Sequence, residues 1–66
     1  MTISVQQIPH DLTLVVRTLR AARGLTQYKL GRRAKLPQTT ISMVERGVYR
    51  PTLSEWAKIW NALTSE

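Results

Sequence analysis

Residues 25–47 read LTQYKLGRRAKLPQTTISMVERG, and this stretch decides the fold because it describes two short helices with a break between them. Leu30 and Ala34 are four residues apart, so they share one face of the first helix, and Thr26 is a residue type that caps a helix at its start. The break falls at residues 35–37, Lys-Leu-Pro. Proline lacks the amide hydrogen that would continue a helix, and it disfavours a helical conformation in the residue before it. We therefore predict a first helix that ends in a tight turn after Ala34.

The second helix of this stretch begins after the proline. Ile41 and Val44 are three residues apart and point to its inner side, and Gly47 ends it in the left-handed conformation that glycine readily adopts. Gly31 supplies a small residue where the second helix crosses the first. Two helices joined by so short a turn are the arrangement that places the second helix in the major groove of DNA.

The exposed side of the second helix consists of short, uncharged, polar residues. Gln38, Thr39, Thr40 and Ser42 can all form hydrogen bonds, and none of them carries a charge. An exposed helix without a binding role usually carries Lys and Glu instead. An uncharged, hydrogen-bonding face within a basic protein is what the reading of base edges requires.

Two further helices flank this pair. The stripe of the first is Leu12, Val15, Val16 and Leu19, and the stripe of the last is Leu53, Trp56, Ala57, Trp60 and Leu63. Thr52 and Glu55 have the spacing of a capping box at the start of the last helix. We predict an all-α fold, a compact bundle of four, or at most five, short helices. Their expected ranges are about residues 10–23, 27–34, 38–46 and 52–63.

The chain length allows one domain. Residues 10–66 contain the predicted helices, and residues 1–9 form an N-terminal arm. Ile3 and Val5 alternate as in a β-strand, so the arm is either a frayed terminus or a short pairing strand. A chain of 66 residues buries only about 60% of its unfolded surface, so it needs a compact helical core, a partner subunit or both.

The charge balance favours a polyanionic partner. The chain has ten Lys and Arg against four acids, for a net charge of +6, and the only acid between Leu12 and Ser54 is Glu45. Basic residues displace the counterions condensed on phosphates, so nucleic acid fits this balance. An anionic membrane surface and a merely solvated basic face are the alternatives.

Several classes of function lack the residues that they need. The chain has no cysteine, and its single histidine, His10, has no partners with which to build a metal site or a catalytic set. We expect no enzyme, no metal or other cofactor, and no small-molecule ligand. No run approaches the roughly 18 apolar residues of a membrane span, and the first residues lack the pattern of a signal peptide. The expected setting is therefore the cytoplasm, in association with the nucleoid.

Residues 25–63 resemble, without a gap, the core of the Xre/Cro family of lambda-repressor-like helix-turn-helix proteins. The matching residues are Leu25, Thr26, Gln27, Leu30, Thr40, Ile41, Ser42, Glu45, Arg46, Gly47, Pro51, Thr52 and Leu53. The stripe of the first helix extends the resemblance to about residue 11. Any one of these matches is weak evidence, but together they are specific.

This resemblance implies roles for individual residues. The residues expected to contact bases are Gln38, Thr39, Ser42 and Met43, and glutamine suits a bidentate hydrogen bond to adenine. Gln27 matches a residue that contacts a phosphate at the start of a helix, where the helix dipole favours an anion. The other residues expected to contact phosphates are Thr40, Arg46, Tyr49 and Arg50, with Arg32, Arg33 and Lys35 as weaker candidates. Arg20 and Glu45 correspond to a buried structural ion pair.

Four positions depart from the family pattern. Lys35 stands where glycine is usual, so the turn takes either a left-handed conformation or another shape, and Pro37 replaces a capping Ser or Thr. Met43 stands where a polar or basic residue is common, and it either contacts a thymine methyl group or packs. Trp60 replaces a small residue and is either a lid over the core or a dimer contact, whereas Trp56 takes a core leucine position.

The function implied by the resemblance is regulation of transcription. The chain is expected to be a repressor that binds double-stranded DNA as a homodimer on an inverted-repeat operator, through contacts of helix four, the loop before it or the arm. The alternative is an antitoxin similar to the HipB-like proteins, which bind DNA but whose main task is to bind a partner protein. A membrane-surface peptide is a third hypothesis, and four helices joined by specific turns argue against it.

Overall fold

A computed structural model describes Ile8 and residues 10–65 of the chain. The four helices are α1 (Leu12–Ala22), α2 (Gln27–Ala34), α3 (Gln38–Glu45) and α4 (Leu53–Thr64). The described residues contain no strand, so the prediction of an all-α fold with four helices is confirmed. The alternating residues Ile3 and Val5, for which a strand or a frayed arm was considered, lie outside the described part of the chain.

Side-chain caps determine where α1, α2 and α4 begin. The carboxylate of Asp11 accepts a hydrogen bond from the Leu14 amide at 3.0 Å, so α1 starts two residues later than the sequence predicts. Thr26 caps α2 in the same way. At the start of α4, the Glu55 amide donates to the Thr52 hydroxyl at 3.1 Å, and the Glu55 carboxylate accepts from the Thr52 amide at 2.9 Å. These two bonds form the capping box that the sequence predicts.

The core takes one apolar stripe from each helix. Its buried members are Leu12, Val16, Leu25, Leu30, Ala34, Ile41, Val44, Trp56, Ile59, Ala62 and Leu63. Val15 and Leu19 of the predicted α1 stripe are half-buried against them. Trp56 is fully buried at the centre, and burial of each large side chain stabilises the fold by about 1.5–3 kcal/mol.

The inner face of α4 differs from the prediction. Leu53 is 49% exposed, whereas Ile59 and Ala62, which were not predicted, are buried. The buried stripe of the helix is Trp56, Ile59, Ala62 and Leu63. A second stripe, which we call the α4 flank, is Leu53, Ala57, Trp60 and Thr64. Both stripes repeat every three or four residues, so periodicity alone cannot choose between them.

The turn between α2 and α3 is left-handed at Lys35, with φ 59° and ψ 41°. This is one of the two shapes considered for a residue that replaces glycine, and it costs a residue with a Cβ about 1–2 kcal/mol. The Leu36 amide closes the turn by donating to the Gly31 carbonyl at 2.9 Å. Pro37 then begins α3 without a side-chain cap, as expected from its lack of a hydroxyl.

Gly31 is the point where the turn and α3 come closest to α2. A Cβ atom built on Gly31 would lie 2.8 Å from the Leu36 carbonyl oxygen and 3.4 Å from the Gln38 amide nitrogen. Only glycine leaves room for this approach. The distance between α2 and the start of α3 therefore depends on the absence of a side chain at this one position.

Candidate functional site

The outer side of α3 carries the residues predicted to contact bases. Gln38 and Thr39, at the start of the helix, are exposed, and Ser42 and Met43 are half-buried one turn later. Residues four apart align along a helix, so Gln38 lies in line with Ser42, and Thr39 with Met43. We call these four residues the recognition surface. Thr40 is half-buried at its edge, beside the buried side of the helix.

A buried carboxylate links this helix to α1. Glu45, at the end of α3, accepts hydrogen bonds from Arg20 Nε at 2.6 Å and from Arg20 Nη2 at 2.9 Å. The same guanidinium donates from Nη1 to the Leu25 carbonyl at 2.9 Å. The hydrogen bond to Glu45 raises the pKa of Arg20 above its ordinary value, in opposition to burial, which lowers it. The structure thus places an ion pair at the two positions that the resemblance indicates.

The side chain of Gln27 joins this ion pair. Gln27 is the first residue of α2, and its Nε2 donates to Glu45 Oε1 at 3.1 Å. The hydrogen bond was not predicted, because the two residues are 18 positions apart and the resemblance pairs Glu45 with Arg20 alone. It fixes the orientation of the Gln27 amide and leaves its second N–H available to a phosphate.

The loop after α3 is held from two sides. The Tyr49 hydroxyl donates to Glu55 Oε1 at 2.6 Å, and Arg50 Nη2 donates to the Ile8 carbonyl at 3.0 Å. A tyrosine hydroxyl has a single proton, and here Glu55 accepts it. Tyr49 therefore orients the loop through Glu55 in this structure, although the resemblance implies a phosphate contact for it.

The Tyr49–Glu55 hydrogen bond makes the stability of the fold depend on pH. Hydrogen bonds from Tyr49 and then from Thr52 lower the pKa of Glu55 below its ordinary value of 4.5. A carboxyl group with a lowered folded pKa stabilises the fold above the unfolded pKa, and this contribution is lost as the pH falls through the folded pKa. We expect Glu55→Gln to melt at a lower temperature than wild type at neutral pH. The difference should shrink below about pH 4. Melting curves that stay equally far apart from neutral to acid pH would contradict this linkage.

Arg46 and Arg32, two of the predicted phosphate-contacting cations, are both exposed. Arg46 follows the last residue of α3, and Arg32 projects from α2 about 100° around the helix from Gly31, which contacts the α3 side. Arg32 also lies over the ring of Tyr28, 5.9 Å from its centroid, and donates to its hydroxyl at 3.3 Å. Tyr28 is exposed, and sequence reasoning missed it. Its spacing of four residues from Arg32 is the signal that could have indicated the pair.

Arg33 and Lys35, two of the weaker candidates for phosphate contacts, lie beside α4. Arg33 is two residues after Gly31, so it projects about 200° around α2, on the flank away from α3. Both residues line a groove between the end of α2 and α4.

Trp60 lies between the core and the surface. Its ring centroid is 6.0 Å from that of Trp56, at an interplanar angle of 36°, and the side chain is half-buried. It covers the buried tryptophan with one face and leaves part of its surface open. This placement is compatible with both of the roles considered for it.

In residues 8 and 10–65, no group of three His, Cys, Asp or Glu residues is placed to hold a metal ion. Within the same residues, no helix is both long enough and apolar enough to cross a membrane.

Comparison with known proteins gives one match. The profile of the helix-turn-helix family matches residues 16–64, which is more than half of the chain and includes α2, α3 and α4 entirely. No curated protein and no solved structure matches the chain significantly.

Proposed function

This chain belongs to the Xre and lambda-repressor-like helix-turn-helix family of DNA-binding transcription regulators, and we propose that it reads the major groove of double-stranded DNA with the recognition surface of α3. The observation that supports this proposal is the exposure of Gln38 and Thr39 at the first two positions of a helix whose opposite side is buried. Both side chains project from the end of α3 that would enter the groove first. A glutamine there can bond to adenine N6 and N7 together.

We infer that the phosphate contacts surround this surface. Gln27 presents its second N–H and the free amides at the start of α2, while Arg46, Arg32 and Arg50 supply positive charge. Gln27 is uncharged, so its phosphate contact would help to orient the protein on the duplex without releasing a counterion. The arginines contribute affinity that falls with salt.

Gln38→Ala is expected to remove about 1–3 kcal/mol of discrimination between the operator and a scrambled duplex. Fluorescence anisotropy at about 150 mM salt measures it, with promoter DNA from upstream of the chain's own gene. Wild type should prefer that DNA by roughly 10³-fold or more. Asn61→Ala is the matched control, since it deletes another exposed amide, on α4. Equal, weak binding of wild type to both duplexes would contradict the proposed function.

We propose that the chain acts as a repressor, by occupying a promoter as a homodimer on an inverted repeat. Two copies with a charge of +6 repel each other, so a dimer contact is least opposed on a surface without charge. The α4 flank is such a surface, because none of its four residues is ionisable. Trp60 contributes a large, rigid side chain of the type enriched at subunit interfaces.

Leu53→Lys tests this dimer surface. Leu53 is 49% exposed, so the substitution should leave the fold intact while placing a charge in the contact. Affinity for a duplex with both half-sites should fall about tenfold, which is about 1.4 kcal/mol, and affinity for a single half-site should not fall. Leu14→Lys is the matched control, since Leu14 is also exposed, at 63%, but lies on α1. The same result for both variants would refute a dimer contact on the α4 flank.

A further inference from the structure

A groove outside the recognition surface concentrates positive charge. It lies between the end of α2, the turn that follows and the second half of α4, and we call it the α2–α4 groove. Arg33, Lys35 and Lys58 line it, together with the small buried residues Ala34 and Ala62. No acidic residue is among the lining residues. Three cations from three segments of the chain therefore meet around a concave surface.

The groove is separate from the DNA-reading side of α2. Gly31 contacts the turn and α3, and Arg33 projects about 200° away from it around the helix. Gly31 is buried against the turn and α3, and none of the four residues of the recognition surface lines the α2–α4 groove. We therefore infer that the groove can be occupied while a duplex is bound to the outer side of α3.

The cations of the groove are not used to hold the fold together. In the described part of the chain, neither Arg33 nor Lys35 forms an ion pair. Lys35 also occupies a left-handed position, which is unfavourable for any residue with a Cβ. Glu55, one turn before Lys58 on α4, has a pKa lowered mainly by hydrogen bonds from Tyr49 and Thr52 and least by the charge of Lys58, and it does not line the groove.

The dimensions of the groove indicate its occupant. Its wall along α4 and the residue after that helix runs from Lys58 to Ser65, eight residues that rise by about 10 Å. This length matches about three residues of extended chain at about 3.3 Å each. The side chains of Asn61 and Ser65 on the same wall can bond to a peptide backbone, and the alanines allow that backbone to approach closely. A DNA duplex is too broad, since its major groove alone is about 12 Å wide.

We propose that the α2–α4 groove binds a short acidic segment of a partner protein, about three extended residues with carboxylates that face Arg33, Lys35 and Lys58. The groove gives the regulator a second contact that does not compete with DNA. A bound regulator can in this way recruit or retain another protein at the promoter. The inference does not depend on which DNA sequence α3 reads.

Peptide binding tests this proposal. The probe is a labelled peptide of three glutamates between glycines, and the same peptide with glutamines is its control. Anisotropy at about 150 mM salt, where surface attraction is largely screened beyond about 8 Å, should show saturable binding of the glutamate peptide alone. Lys35→Gln/Lys58→Gln should weaken it at least tenfold. Arg17→Gln/Lys29→Gln removes the same charge from exposed positions outside the groove and should change it less than twofold.

Three results would overturn the proposal. Equal weakening in the two double variants would show general attraction to a basic protein. Displacement of the peptide by a saturating promoter duplex would show that the groove belongs to the DNA surface. Absence of saturable binding up to about 1 mM peptide would leave the groove without this ligand. Circular dichroism melting of both double variants establishes that they are folded. If Lys35→Gln/Lys58→Gln does not fold, the single variant Lys58→Gln takes its place.

Discussion

Glu45→Ala is expected to unfold the domain, not merely to weaken its binding to DNA. The Glu45 side chain is 4% exposed and accepts hydrogen bonds from Arg20 and Gln27, so its removal leaves the Arg20 side chain, which is only 21% exposed, without its partner. Breaking such a pair costs about 3–5 kcal/mol. A domain of this size has a total stability of roughly 3–10 kcal/mol, by the usual value per residue. The substitution therefore removes most of the free energy of unfolding.

Thermal melting followed by circular dichroism measures this effect. The informative control replaces both partners, as Arg20→Met/Glu45→Leu, because a buried pair exchanged for apolar side chains is often neutral in stability. We expect the double variant to melt well above Glu45→Ala. If Glu45→Ala melts at the wild-type temperature, the ion pair does not hold α1 to α3.

The helix pair could be predicted from the sequence because its signals are local. Thr26, the Lys-Leu-Pro break at residues 35–37 and the capping box each act within one turn of helix, and the structure shows all three. The inner face of α4 could not be predicted as reliably. Leu53 and Ile59 belong to adjacent stripes of the same period, and only the packing of α2 and α1 against the helix selects the second.

The candidate site divides in the same way. The placement of Gln38 and Thr39 on the outside of α3 follows from the burial of the opposite side of that helix, which is a local pattern. The difference between Arg32 and Arg33 does not follow from any local pattern, since both are exposed neighbours at the end of α2. Which of them lines the groove beside α4 is known only once the helices are packed, and the structure places Arg33 there.

A side chain at Gly31 is expected to have the second largest effect, because it would separate α2 from the recognition helix. By helix propensity alone, Gly31→Val should stabilise α2 by a few tenths of a kcal/mol, since valine is the better helix former. The structure predicts instead that Gly31→Val lowers the stability of the fold. A Cβ at this position lies 2.8 Å from the Leu36 carbonyl oxygen, which is backbone and cannot rotate away. The two further methyl groups of valine increase the overlap, so we expect a net loss of about 3 kcal/mol, at the upper end of the cost of overpacking.

The same contact predicts a loss of DNA binding that exceeds the loss of folded protein. The overlap is with the Leu36 carbonyl oxygen, two residues before Gln38, and the Gln38 amide nitrogen and Cα are already in van der Waals contact with the added Cβ at 3.4 and 3.5 Å. We therefore expect relief of the overlap to shift the residue expected to contact adenine. Denaturant titration gives the free energy of unfolding, and anisotropy at a temperature where the variant is still folded gives the operator affinity. Ala21→Val, at an exposed position of α1, controls for the effect of a β-branched residue in a helix. A Gly31→Val protein that is as stable as wild type and binds its operator equally well would show that α3 does not depend on this close approach.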